Sequence, residues 1–167
     1  RPVTPAEQQI LAAWSSWGAV PQFFDTKRDE FADARAELTQ LLTSAEFDDA
    51  RRTTINAHYT DPTIASTMWA TMSRLGLHSG DVLEPGSGSG TFIGLAPDGL
   101  QVTGVELDPV TAGIARALYP HAEIRTESFA DSPFRSAAFD AAIGNVPFAD
   151  VVLHDRRHNA GRHSLHD

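Results

Sequence analysis

Apolar residues change their spacing near residue 58. Before it they recur at helical intervals. Ile10, Leu11, Trp14 and Trp17 predict a helix from Pro5 to Trp17 that closes at Gly18, where a glycine takes a left-handed cap. Phe31, Ala34, Leu38, Leu41 and Leu42 form one stripe over 27–43, and Ser44 reads as the N-cap of a third helix with Glu46 near its positive end.

After residue 58, strand-like runs alternate with helical ones. Asp61-Pro62 opens a helix whose stripe is Ile64, Met68, Met72 and Leu75, stopping at Gly76. Strands are predicted at Asp81–Glu84, Gln101–Glu106, Ala122–Thr126 and Phe139–Ile143, with a helix from Asp108-Pro109 carrying Val110, Ile114 and Leu118. This alternation predicts an α/β fold: a Rossmann-like, doubly wound and mainly parallel sheet, with an N-terminal helical segment (1–57) ahead of the core (58–167). Four strands are fewer than such a sheet ordinarily has. The pattern therefore predicts that the core is incomplete, with only its first four strands here and more beyond Asn145.

Length and composition narrow the reading. The chain has 167 residues, enough for one ordinary domain of roughly 100–200 residues. It has no cysteine, which excludes disulfides, thiolate metal sites and thiol nucleophiles. No run approaches the ~18 apolar residues of a membrane span, and no secretory signal begins the sequence, so a cytoplasmic address is expected. Acidic residues outnumber basic ones 22 to 13, and Lys27 is the single lysine. A chain of net charge −9 that acts on nucleic acid is expected to be gripped there by parts outside it.

The densest chemical signal is Glu84-Pro85-Gly86-Ser87-Gly88-Ser89-Gly90, between a strand and a helix start at Thr91. Glycines there let backbone approach a ligand closely. Their spacing is Gly-x-Gly-x-Gly, not the Gly-x-Gly-x-x-Gly of dinucleotide sites, which speaks against a nicotinamide dehydrogenase. Glu106, with Leu107 beside it, falls twenty residues after Gly86 at a strand end, where a carboxylate accepts both hydroxyls of a ribose. Glu84 suits a cationic group such as an ammonium. Asp108 is already explained as a helix cap.

The fourth strand runs into Gly144-Asn145-Val146-Pro147-Phe148. Asn145 to Phe148 resembles the Asn-Pro-Pro-Phe/Tyr motif of S-adenosylmethionine-dependent amino-methyltransferases, especially adenine-specific DNA methyltransferases. Asn56 to Pro62 resembles the family's segment ahead of the first strand, which implies that His58, Tyr59 and Thr60 contact the methionine end of S-adenosyl-L-methionine. Glu84 to Gly90 resembles its cofactor loop, and Glu127-Ser128-Phe129 the residues that hold the cofactor's adenine. More narrowly, Trp14 to Gly18, Leu118 to Pro120, Gly144 to Phe148 and Arg162 to His166 resemble the methylase portion of large phage and plasmid helicase–methylase polypeptides. That implies DNA and a helicase region of the same polypeptide as partners, and a role in restriction-modification or phage defence.

The chemistry suits these residues independently. An adenine amine is a poor nucleophile because its lone pair is delocalised into the ring. An amide oxygen from Asn145 and the main-chain carbonyl of Val146 can accept its two protons, drawing the lone pair out of the ring plane. Preorganised dipoles of this kind contribute about 3–4 kcal/mol each. Phe148 would stack on a target base taken out of the duplex. Val146 departs from the family's proline, but Pro147 disfavours a helical Val146 and so keeps its carbonyl in extended backbone. That departure, with the acidic charge and missing strands, keeps open a cofactor-binding or assembly module without catalysis. Amines in RNA or a protein glutamine remain open as substrates, and these 167 residues alone are expected to be weakly active or inactive. His154, Arg156, Arg157, His158, Arg162, His163 and His166 form a locally basic stretch; no carboxylate stands at a diagnostic spacing, so no metal is assigned.

Overall fold

The computed structural model describes residues 1–54 and 59–145. Strands β1 (Gly80–Pro85), β2 (Leu100–Glu106), β3 (Glu123–Thr126) and β4 (Ala141–Ala142) form one parallel sheet in the order β3-β2-β1-β4. Helix α6 (Pro109–Leu118) connects β2 to β3, and the short α5 (Thr91–Gly94) lies between β1 and β2. The chain steps outward from β1 to β3 and then returns to the other side of β1, so the strand order reverses between β1 and β2 on one hand and β4 on the other. In a parallel sheet of this kind, ligands sit beyond the carboxyl ends of the strands at such a reversal. The expected α/β, Rossmann-like architecture is the one observed.

β1 pairs on both sides, and its buried residues Val82, Leu83 and Glu84 are consecutive, as in a strand covered on both faces. Val82, Leu100, Val102 and Ile143 pack with Ala65, Trp69 and Phe92, while Ile124 packs with Ala112 and Ala115 of α6.

Helix α4 (Pro62–Arg74) starts as its sequence predicts, with Asp61 accepting from the Thr63 N–H at 2.7 Å and Pro62 at the first position. It also stops as predicted: Gly76 has φ +104°, and the N–H groups of Gly76 and Leu77 return to the Ser73 and Met72 carbonyls. Its buried face, however, is rotated from the expected stripe. Leu75 is 80% exposed and Ile64 is 56% exposed, while Ala65 and Trp69 are buried with Met68 and Met72 packed against them. The indole decides this. Trp69 Nε1 donates to the Phe92 carbonyl at 2.9 Å, which satisfies its polar tip and lets the rest of a large ring enter the core.

The amino-terminal segment is helical but more broken than its periodicity suggests. α1 (Pro5–Ala12) stops short of the tryptophans, and Trp17–Ala19 forms a separate 3-10 turn. The left-handed residue is Ser16, at φ +69°, instead of Gly18. A 3-10 turn at Asp29–Phe31 leads into α2 (Ala32–Leu41), where Leu41 is exposed. α3 (Ser44–Thr53) is capped by Thr43, not Ser44: Glu46 accepts from the Thr43 N–H at 2.8 Å, and Thr43 Oγ1 accepts from the Glu46 N–H at 3.3 Å. α1 and α3 both pack on α6. With its other side on β2 and β3, α6 buries the small residues Thr111, Ala112 and Ala115, and leaves the expected Val110, Ile114 and Leu118 half-buried.

Trp69→Ala is expected to cost about 3–5 kcal/mol, as for large-to-small changes in a packed core. Leu75→Ala is expected to change stability by less than about 0.5 kcal/mol. Urea denaturation midpoints of the two variants check the rotation of α4, and a larger loss at Leu75 would contradict it.

Candidate functional site

Directly after β1, the chain folds back over the end of β2. The N–H groups of Gly86 and Ser87 both donate to the Val105 carbonyl, at 2.8 and 3.0 Å, and the Gly88 N–H donates to Glu106 Oε2 at 2.9 Å. This path needs left-handed backbone at Gly86, Gly88 and Gly90, with φ of +68°, +55° and +91°. At Gly88 a side chain would also collide, since a Cβ there would stand 2.6 Å from Tyr59 Cε1. The Tyr59 ring thus covers the loop. Burial pushes its hydroxyl up to about 12, against the opposing proximity of the Ser89 hydroxyl, although Tyr59 Oη completes no hydrogen bond among the described residues.

Glu106 is held by backbone from two directions. Oε2 receives Gly88, and Oε1 accepts from the Asp108 N–H at 2.8 Å. Burial raises its carboxyl above the ordinary range, while those two N–H groups pull it back down. Glu84 has no such relief. It is 3% exposed, its Oε2 has no hydrogen-bond partner among the described residues, and burial followed by the charge of Glu106 raises it well above its ordinary value. A buried carboxyl without a donor is a fit for an incoming cation.

The exits of the other strands converge on the same edge. The Ile143 N–H donates to the Leu83 carbonyl at 2.9 Å, and a Cβ on Gly144 would stand 3.4 Å from the Pro85 carbonyl oxygen and 3.8 Å from Glu84 Cγ. Asn145 is the next residue. On the other flank, the Glu127 N–H donates to the Glu106 carbonyl at 3.1 Å, which carries the turn of Ser128 and Phe129 past the end of β2. Phe129 is half-exposed and lines a cavity of about 460 Å³ along β4 with Leu83, Phe134 and Phe139. A second cavity, about 220 Å³, is lined by Ser89, Thr91, Gly94 and Tyr119. Neither includes Glu84 or Glu106 in its lining.

Of the residues singled out in the sequence, Tyr59, Glu84, Pro85, Gly86, Ser87, Gly88, Gly90 and Glu106 therefore gather at the carboxyl ends of β1 and β2. Gly144 abuts them. Thr60 is half-buried and Leu107 is exposed. His58, Val146, Pro147 and Phe148 lie outside the described residues, as does the histidine-rich stretch 154–166. Periodicity missed the involvement of Trp14 and Trp17, which it reads as one helical stripe. In the structure, Trp17 Nε1 donates to Asp108 Oδ2 at 3.0 Å and Trp14 Nε1 to Thr111 Oγ1 at 3.2 Å, so both indoles reach the start of α6. Only the Asp-Pro cap signal marked the far end of that contact.

Residues 83–158 match the family model of a methyltransferase domain. The chain is 30% identical over 119 residues to "Defense against restriction protein B" of Escherichia phage P1, a match that covers 67% of this chain and 5% of that protein. The chain thus spans about one twentieth of the curated relative it matches. Among solved structures, the type I restriction-modification methyltransferase subunit of Streptococcus thermophilus aligns with TM-score 0.45 and 19% identity, covering 55% of this chain and 23% of that one. Magnesium protoporphyrin IX methyltransferase from Synechocystis with bound SAM aligns with TM-score 0.41 and 18% identity, covering 80% and 62%. Among the described residues, no helix is long and apolar enough to cross a membrane.

The raised Glu84 carboxyl has a consequence for stability. Its folded value lies above its ordinary one of 4.5, so the folded chain holds a proton that the unfolded chain releases, and stability falls as pH rises above that value. Glu84→Gln is expected to be more stable than the wild type at about pH 8, with the difference shrinking as pH is lowered towards about 4. Denaturation midpoints across that range check the sign; a pH-independent difference would contradict it.

Proposed function

We propose that this chain is part of an S-adenosylmethionine-dependent methyltransferase, residues 83–158 matching the model of a methyltransferase domain, and that it methylates the exocyclic amine of adenine in DNA. The observation that supports this reading is the nearness of Gly144 to the end of β1, where an added Cβ would stand 3.4 Å from the Pro85 carbonyl oxygen and 3.8 Å from Glu84 Cγ. Asn145 follows directly, which favours a donor site and an acceptor site that share one strand edge.

The residues present fit the cofactor. An added Cβ on Gly86 would meet nothing within 4 Å, so the backbone there is open to close approach, while Gly88 lies under Tyr59. Glu106 has further lone pairs for ribose hydroxyls beyond the two backbone N–H groups it already accepts. Glu84 has a buried oxygen without a donor among the described residues, as an ammonium would require. Tyr59, with His58 and Thr60, would border the methionine end, and Ser128 and Phe129 the adenine. When bound, S-adenosylmethionine supplies an electrophilic sulfonium methyl.

The work of this chain is orientation and charge. Asn145 Oδ1 and the Val146 carbonyl would accept hydrogen bonds from the two N–H groups of the amine, aim its lone pair and stabilise the positive charge that develops on nitrogen, whose surplus proton is then lost to solvent. Phe148 would stack on the extruded base. Holding donor and acceptor in line adds a proximity contribution of up to roughly 7–11 kcal/mol. With a net charge of −9, the chain is a weak candidate for gripping phosphates, so DNA would be held by other parts of a longer polypeptide, including a helicase region. The words "Defense against restriction" in the name of the phage relative favour DNA over RNA or a protein glutamine, and favour a role in phage defence or restriction-modification. Val146 in place of proline favours a second reading, a cofactor-binding module without catalysis.

The test uses the whole polypeptide that contains these residues. It is expected to produce N6-methyladenine in DNA, detected by mass spectrometry, and Asn145→Ala is expected to lower the rate by about 100-fold or more. Undiminished methylation by Asn145→Ala would remove Asn145 from the chemistry. Cofactor binding with no transfer to any DNA would leave the module.

A further inference from the structure

The amino-terminal helices meet the cofactor side of the sheet through a short relay of hydrogen bonds. Trp17 Nε1 donates to Asp108 Oδ2 at 3.0 Å, the Asp108 N–H donates to Glu106 Oε1 at 2.8 Å, and Glu106 Oε2 accepts from the Gly88 N–H at 2.9 Å. Three bonds thus connect a residue ninety-one positions upstream of Asp108 to the glycine loop. Both ends of the first bond are out of solvent, with Trp17 5% and Asp108 1% exposed.

Capping does not require Trp17. The Thr111 N–H already donates to Asp108 Oδ2 at 2.9 Å, and one such bond is what an N-cap supplies. With the cap alone, the two carboxylate oxygens are interchangeable, because the terminal torsion of Asp is broad and roughly two-fold. A second donor on the same oxygen removes that freedom. It leaves Oδ1 as a buried acceptor with no partner among the described residues, an arrangement that costs stability until a donor arrives.

We propose that Trp17 is a positioning residue for the cofactor: by holding Asp108 Oδ2 it sets the Glu106–Asp108 turn, and through Glu106 the glycine loop, in the geometry that receives S-adenosylmethionine. The proposal rests on the cofactor assignment but not on the identity of the methyl acceptor. Coupling of this kind is reciprocal, so the cofactor also tightens the docking of the segment that carries Trp17.

Trp17→Phe removes the N–H and keeps a ring to pack edge-on against Trp14 and Phe24, whose centroids lie 4.7 and 5.6 Å away. In the whole polypeptide, calorimetry with S-adenosylhomocysteine is expected to show about tenfold weaker binding. Trp14→Phe loses a bond at the same helix, to Thr111 Oγ1, without touching Asp108. It is expected to stay within about twofold of the wild type. Hydrogen exchange on the unmodified polypeptide is expected to show the cofactor slowing the amides of residues 5–24, and Trp17→Phe to lose that effect. Wild-type affinity in Trp17→Phe, equal losses in both variants, or no cofactor effect on residues 5–24 would each overturn the proposal. Absence of binding by the wild type would remove the cofactor assignment and the coupling with it, whereas binding without adenine methylation would remove only the substrate reading.

Discussion

Three acidic side chains within a few residues of two neighbouring strand ends, Glu84 and Asp108 buried and Glu106 half-buried, set the terms for the rest of this structure. Glu106 faces the charge of Asp108 and Glu84 that of Glu106, and an uncompensated charge in such a place is costly. Two of them are answered by backbone: Gly88 and Asp108 donate to Glu106, and Thr111 donates to Asp108. The glycine loop must therefore bend far enough to aim an N–H at Glu106, and α6 must begin where it does. Glu84 Oε2 and Asp108 Oδ1 keep no hydrogen-bond partner among the described residues.

The helices are arranged around that requirement. α6 uses alanines and a threonine on its buried side, so it can be flanked by the sheet on one side and by α1 and α3 on the other. Close approach is what lets two indoles from the amino-terminal segment reach its first turn. A bulkier face on α6 would hold Trp14 and Trp17 too far from Thr111 and Asp108 for hydrogen bonds of 3.2 and 3.0 Å. The amino-terminal segment is thereby tied to the site and is more than a cover for the core.

Charge divides the labour in a complementary way. Arginines of the described residues are largely committed locally, as in the pairs Arg52–Asp49 and Arg125–Glu127 and the hydrogen bonds of Arg35 to the carbonyls of Phe23 and Arg28. An acidic, inward-looking unit of this kind is suited to binding a cationic cofactor. It is less suited to tracking a phosphate backbone.

Much of this was legible in the chain itself. Alternating strand and helix patterns located all four strands to within two residues at most ends. Asp61-Pro62, Gly76 and Asp108-Pro109 marked helix limits correctly, because caps and turn glycines act through neighbouring backbone and need no distant partner. The glycine spacing and the position of Glu106 pointed to the carboxyl ends of β1 and β2 for the same local reason. What the linear pattern could not decide was which way a helix faces when a large polar-tipped residue competes with aliphatic ones: Trp69 wins over Leu75 only because the Phe92 carbonyl waits across the core. Nor could it show that Trp17 binds Asp108, a contact between residues ninety-one apart that exists only once α6 is docked. Local backbone chemistry is written in adjacent residues; burial, shared charge and long-range hydrogen bonds arise only when separate elements are brought together, and those decided how the site is held.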